Sequence, residues 1–296
     1  MRQPPELPGV EHRWIEAGGI RFHIAEAGSG RPGKAVVLVH GFPQHWWTWR
    51  GVIPALAERR HVVAIDLRGY GWSDVPADGY DKKTLAEDVV AVVHALGLDK
   101  PVLIGHDWGG VASLVAASLH PEAFTAVASV AVPAPWVQVP AKRPKFLFYQ
   151  DILASRLGPR IIRGGKQRFL RLLFSKGVVP GSRSEENTEV FLERFREPAR
   201  ADAGSATYRT FIRSEWPELA AGTYLPGPPR IPTLLVRGAQ DQLLRENGML
   251  RAARDGADIS FHTIEGGTHW LPEEQPEALA ERLLAFADGV DPGSGV

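Results

Sequence analysis

The sequence predicts an α/β fold, a mostly parallel sheet with flanking helices and an inserted helical cap. Three observations carry that prediction. The first 133 residues alternate strand-like and helix-like patterns, as a parallel sheet covered by helices requires. Residues 134–226 then lose β-branched runs and turn basic, with 16 Lys and Arg against 9 Asp and Glu, a net of +7. From Pro232 the alternation resumes. The expected division is a core domain of residues 1–133 and 227–296 around a helical cap domain of residues 134–226.

Each element has its own signal. Arg21–Ala27 alternates as a strand, while Ala35–Val39 and Val62–Ile65 are short apolar runs of the kind buried on both faces of a parallel sheet. Thr84–Leu96 has the helical period, Pro101–Ile104 returns to strand, and Gly109–Leu119 is small and apolar enough for a helix packed closely on a sheet. Phe124–Val132 is a further strand. After the insertion, Thr233–Val236 reads as strand, Leu243–Arg254 as helix, Ile259–Ile264 as strand and Pro276–Asp288 as the final helix. In the insertion, Arg156, Arg160 and Arg163 recur at helical spacing as a solvated face does.

Composition narrows the function classes. Apolar residues make up 44% of the 296, and 34 Lys and Arg balance 34 Asp and Glu, so neither a disordered chain nor a general nucleic-acid binder fits. Cysteine is absent, which excludes disulfides, a thiol nucleophile and Cys-ligated metal. No apolar run approaches the roughly 20 residues of a membrane span and no signal-peptide core follows Met1, so a cytoplasmic protein is expected.

The most informative segment is Val102-Leu-Ile-Gly-His106-Asp107-Trp108-Gly109-Gly110, an apolar strand running into a small-residue helix. Strand, sharp turn and helix with glycines nearby is the context of a nucleophile elbow, and here the elbow residue is Asp107. A helix N-terminus keeps a carboxylate ionised and able to attack. A plain Asp N-cap fits the same pattern, so the segment by itself leaves both readings open.

Two further segments separate them. His40-Gly-Phe-Pro43 follows a strand, and the backbone N–H groups of Phe42 and Trp108 are placed to form an oxyanion hole; His40 itself reads as a buried loop-fixing histidine. Gly266-Gly-Thr-His269-Trp270 puts a histidine in a glycine-bearing loop after one strand, and Gly238-Ala-Gln-Asp241 puts an acid after another. His262 competes as base but falls within a strand pattern, and Asp255, Asp258 and Glu265 compete as acid without following a separate buried strand as directly. Asp107, Asp241 and His269 thus run in the nucleophile, acid, base order of an α/β-hydrolase.

With these motifs and Asp66-Leu-Arg-Gly-Tyr-Gly-Trp-Ser-Asp74, most of the chain resembles the soluble epoxide hydrolases of the α/β-hydrolase fold, close to the haloalkane dehalogenases. The resemblance implies two cap tyrosines that hold the epoxide oxygen. Phe148-Tyr149-Gln150 and Tyr208-Arg209, with Trp216 downstream, match those segments and nominate Tyr149 and Tyr208. It further implies a covalent route in which Asp107 opens the epoxide to an alkyl ester and His269, oriented by Asp241, activates the water that releases a vicinal diol. No metal or organic cofactor is implied. The partners are a hydrophobic epoxide and water, with no nucleic acid and no membrane span, and a homodimer is a candidate assembly.

Phe42, Trp108, Trp136, Phe148 and Trp216 are the expected substrate-binding side chains, within an aromatic group that also includes Trp46, Trp47, Trp49 and Phe146. The alternative is a haloalkane or haloacid dehalogenase with the same nucleophile. Dehalogenases of the first kind resemble His-Gly-Asn-Pro where this chain has Phe42, and those of the second place arginine after the nucleophile where this chain has Trp108 and Val111. A serine esterase lacks its elbow serine here, and a non-catalytic ligand-binding member of the fold is less expected because the triad is intact.

Overall fold

Runs of four to six β-branched and apolar residues, too short for buried helices, become the centre of the fold. In the computed structural model, which describes residues 3–175, 184–241, 244, 251–252 and 258–291, the strands are β1 (Val10–Ala17), β2 (Ile20–Ala27), β3 (Val36–Val39), β4 (Val62–Ile65), β5 (Val102–His106), β6 (Ala126–Val130), β7 (Thr233–Gly238) and β8 (Ile259–Ile264). They form an eight-stranded sheet in the order β1-β2-β4-β3-β5-β6-β7-β8. The pairs β1/β2 and β2/β4 are antiparallel and every later pair is parallel. The expected α/β fold with its mostly parallel sheet is what the chain adopts.

Strand β1 carries no apolar alternation and was not legible in the sequence. Its residues are largely exposed, as suits an edge strand. It forms because Gly18 and Gly19, both at positive φ (56° and 78°), make a two-residue turn that returns the chain onto β2. Strand boundaries also move by two residues: β5 runs past Ile104 to His106 and β7 runs to Gly238, because pairing with neighbouring strands continues beyond the apolar core, while the strand expected at Phe124–Val132 shortens to Ala126–Val130.

Helices cover both faces. Helices α2 (Lys82–Ala95) and α3 (Trp108–Leu119) pack on one side, α1 (Ile53–Ala57) and the final helix on the other. Between β6 and β7 lie α4 (Phe148–Ala154), α5 (Gly158–Arg163), α6 (Arg168–Ser175), α7 (Glu185–Arg194), α8 (Pro198–Thr210) and α9 (Trp216–Ala221), with a π-helical turn at Phe211–Glu215 joining the last two. Helices α10 (Leu271–Glu274) and α11 (Pro276–Val290) end the described chain. Of the helix expected at Leu243–Arg254, all but Leu244, Arg251 and Ala252 lie outside the described residues. Arg156, Arg160 and Arg163 are exposed, as a solvated face is. Among the described residues no helix is long and apolar enough to cross a membrane.

One buried carboxylate ties the loops at the β3 and β4 ends together. Asp66, fully buried after β4, accepts the backbone N–H of Trp46 at 2.8 Å and of Trp72 at 3.0 Å, and lies 2.7 Å from His23 Nδ1. Gly71 lets the chain pass so close that an added Cβ would stand 1.9 Å from Asp66 Oδ2. Burial alone would push this carboxyl up, but its partners, His23 foremost, hold it well below the usual carboxylate range.

Asp66→Ala strands two buried N–H groups and an imidazole, and is expected to lower stability by about 3–5 kcal/mol in urea unfolding at neutral pH. Because the folded-state pKa is depressed, the carboxylate's contribution is present above about pH 4, the unfolded value, and fades as pH falls further toward the folded value. The gap between parent and variant should therefore narrow in acid.

Candidate active site

The C-terminal ends of the parallel strands gather the groups singled out in the sequence, as the topology of such sheets dictates. Strand β5 is central, between β3 and β6. At its end Asp107 takes φ 51° and ψ −128°, a conformation rare for a residue with a Cβ. Helix α3 starts at the next residue, and Asp107 makes no side-chain cap to it, so the N-cap reading does not describe this carboxylate. The turn closes only because the chain is bare at two points. A Cβ on Gly109 would lie 2.2 Å from the His40 carbonyl oxygen, and one on Gly41 would lie 2.2 Å from Asp107 Oδ1.

The Phe42 N–H donates to Asp107 Oδ1 at 2.8 Å. Burial would raise this carboxyl, but His269, then His106, and the Trp108 backbone amide lower it below the carboxylate norm. His40 is buried and its pKa is lowered by burial. Its Nδ1–H donates to the Gly41 carbonyl at 3.0 Å, and its Nε2 accepts the Leu67 N–H at 3.0 Å. It fixes the loop that presents Phe42, as the sequence suggested.

His269 Nε2 lies 3.4 Å from Asp107 Oδ2, and its Nδ1 lies 3.5 Å from Asp241 Oδ2. The imidazole is thus bracketed by two carboxylates. Burial pushes it down, yet its contacts with Asp107 and Asp241 outweigh that and raise it to about 10. Asp241 is itself oriented by the Leu244 N–H, donated to Oδ1 at 3.2 Å.

Two residues to which sequence reasoning gave no role set the base's backbone. His106, pulled down to about 4 by burial and by nearby His269, is neutral and places Nε2 2.8 Å from the His269 carbonyl. Glu274 accepts the Thr268 N–H at 2.7 Å and the Thr268 hydroxyl at 2.8 Å. His106 adjoins the nucleophile in sequence, which was an available signal; nothing in the spacing marks Glu274.

A cavity of about 270 Å³ opens over Asp107 and His269. Its walls are mainly apolar, from the Ala131–Pro140 segment, Val111, Phe146, Leu147, Phe211, Trp216 and Leu219. Tyr149, Trp108 and Arg251 also line it. Tyr208 is buried behind this lining. Its ring centroid lies 5.0 Å from that of Phe42, 5.5 Å from Trp108 and 6.2 Å from Tyr149. Burial pushes the Tyr149 phenol up to about 12 and that of Tyr208 well above the usual value, so both are O–H donors at neutral pH.

The expected aromatic lining needs correction. Phe148, at the start of α4, is not among the lining residues, whereas Phe146, itself nearly as exposed as Phe148, borders the cavity. Trp136 packs against the core without lining the cavity. Phe42 contributes its amide, while its ring stacks among Phe195, Tyr70 and Tyr208. Trp46 and Trp49 are fully buried, and a 3₁₀ turn capped by His45 carries them, with Trp47, into the core away from the cavity.

Residues 34–276 match the α/β-hydrolase fold family, and the chain belongs to it. It is 32% identical to Epoxide hydrolase A of Mycobacterium tuberculosis, aligned over 94% of this chain and 98% of that protein. It is likewise 32% identical to the Soluble epoxide hydrolase of Corynebacterium sp. strain C12, over 94% of this chain and 97% of that one. The ligand-free structure of epoxide hydrolase CorEH superposes with a TM-score of 0.84 at 28% identity, covering 95% of this chain and 99% of that one. The resemblance carried by the sequence motifs is to the same proteins.

Removing the Asp107 charge takes away one of the two anions that hold His269 protonated. In Asp107→Ala, the imidazole midpoint followed by NMR titration should fall by about one unit or more relative to the parent.

Proposed function

We infer that this chain is an epoxide hydrolase that opens a hydrophobic epoxide to a vicinal diol through an ester on Asp107. The observation that supports this most directly is the division of labour between the two oxygens of Asp107. Oδ1 is held by the Phe42 amide at 2.8 Å, whereas Oδ2 faces His269 at 3.4 Å. In this reading Oδ2 attacks an epoxide carbon, the C–O bond of the ring breaks, and the departing oxygen takes a proton from the Tyr149 or Tyr208 phenol. A buried alkoxide without such donors is expensive.

Esterification neutralises Asp107 and so removes one of the two charges that raise His269. The imidazolium gives up its proton, which restores the phenol that ring opening left as phenolate, and the neutral imidazole becomes the base the second step needs. It takes a proton from water as the hydroxide adds to the ester carbon. Oδ1 then carries the negative charge, and the Phe42 amide already points at it, with Trp108 as the second donor. Collapse breaks the ester C–O bond, the imidazolium protonates the departing alkoxide to give the diol, and the Asp107 carboxylic acid so formed passes its proton to the imidazole, which restores both the carboxylate and the imidazolium.

Residues 134–226 act as the cap domain that supplies the phenols, and residues 1–133 with 227–296 form the core that supplies the triad. A cavity of about 270 Å³ with apolar walls suits one small aryl or alkyl epoxide. Dehalogenation requires the same attack without a proton donor, and the Tyr149 phenol in the cavity wall, with the Tyr208 ring 6.2 Å from its own, favours the epoxide.

His269→Gln should still form the ester and fail to hydrolyse it. Intact-mass analysis after mixing with styrene oxide should show an adduct of the whole epoxide mass on the peptide that contains Asp107. A folded, epoxide-binding variant that stays unmodified would instead mean direct attack of water on the ring. Tyr149→Phe and Tyr208→Phe should each slow ester formation, and the double variant should lose about 10²-fold or more in single-turnover assays; parent-like rates in the double variant would remove both phenols from the chemistry.

A further inference from the structure

The molecule places a fully buried lysine next to this site, and the steps above do not use it. Lys82 opens α2, directly after the N-cap Asp81, and is 0% exposed. A cation at a helix N-terminus opposes the helix dipole, and burying an ammonium is costly unless every donor is matched. The match is complete. Nζ donates to Glu215 Oε2 at 2.6 Å and to the Thr207 carbonyl at 3.0 Å, and it stands 4.3 Å from the centroid of the Trp108 ring.

Glu215 is equally committed. Its Oε1 accepts the Lys82 N–H at 2.8 Å and the Tyr224 hydroxyl at 2.7 Å. It reaches inward because the chain after α8 widens into the π-helical turn Phe211–Glu215, a distortion that often marks functional sites. The adjacent Lys83 pairs with Glu218 at 2.8 Å, but both side chains are more than two-fifths exposed, and such a surface pair contributes little.

The contacts of Lys82 converge on two groups of the site. Thr207 immediately precedes Tyr208, so fixing its carbonyl fixes the end of α8 that presents the phenol. Trp108 supplies the second amide beside Asp107, and its ring lines the cavity and touches Tyr208. We propose that Lys82 is a positioning residue for ring opening: its buried ammonium, locked to Glu215, holds Tyr208 and Trp108 in register across the joint between α2 and the inserted helices. This rests on the reading in which Tyr208 donates to the epoxide oxygen. His269 and Asp241 are held by other elements, and the Trp108 amide used in the second step is set by the elbow backbone at the start of α3, whereas Lys82 meets the Trp108 ring, so ester decay does not depend on Lys82.

The test separates the two half-reactions with styrene oxide, following formation and decay of the Asp107 ester by quenched-flow mass analysis. Lys82→Met leaves Glu215 unpaired, so Lys82→Met/Glu215→Gln, which removes both charges, is compared with it and with Lys82→Arg. Ester formation should slow about 10- to 100-fold in both Met variants, the scale of a small misplacement of a reacting group. Ester decay should stay within about twofold of the parent, and Lys82→Arg should recover part of the formation rate. Hydrogen exchange should quicken over residues 204–216 while β5 and β7 remain protected.

Unchanged formation rates, or equal losses in both steps, would overturn the proposal, the latter by reducing Lys82 to a general strut. A parent that forms no ester would defeat the epoxide reading itself. The exchange measurement would then still decide the positioning, since unchanged exchange at 204–216 overturns it without reference to any substrate.

Discussion

Asp107 stands in a backbone conformation that a residue with a side chain adopts only under compulsion, at a cost of about 1–3 kcal/mol, and the site is arranged around meeting that compulsion. Its own N–H reaches the Val130 carbonyl at the end of β6, its carbonyl accepts from Val111 in the first turn of α3, and its carboxylate accepts from Phe42 after β3. Two neighbouring strands and one helix thus hold a single residue. The bare positions Gly41 and Gly109 allow those segments to close on it. The strain falls where a carboxylate must stand clear of the sheet with one oxygen restrained and the other available.

The same logic explains what was legible in the sequence. Buried parallel strands have to be short and β-branched, so β4 and β8 were readable to the residue, and a strand that ends in Gly-His-Asp-Trp-Gly-Gly announces its turn through the glycines the turn needs. Asp241 and His269 were legible because each follows such a strand. Strand β1 was not, since an edge strand buries little and is fixed by the Gly18-Gly19 turn and by pairing. The cavity walls were least legible. Which of Phe146 and Phe148 borders the cavity is settled by the path of the chain into α4, and the Trp46–Trp49 turn had the composition of a binding surface but the burial of a core. Lys82 and Glu215 are 133 positions apart, a separation no local pattern reports.

Three buried charges each organise the backbone around them. Asp66 gathers backbone donors far from the cavity, Glu274 does the same for the loop that carries His269, and Lys82 meets Glu215 where the inserted helices join the core. In each case an ionised group is surrounded by partners aimed at it, the condition under which a buried charge specifies one arrangement of loops. Around the reacting carboxylate the balance differs: two anions share one imidazole, and consuming either anion changes the proton affinity of the group between them.

The contact between His106 and the carbonyl of His269 joins the residue before the nucleophile to the backbone of the base. Strand β5 and the loop after β8 are thereby tied, so the spacing between Asp107 and His269 is set at the end of the sheet itself. The cavity walls come largely from elsewhere, from the proline-rich stretch 132–144 and from α4. Diversification of such a chain can therefore proceed through its walls, with the chemistry inherited unchanged.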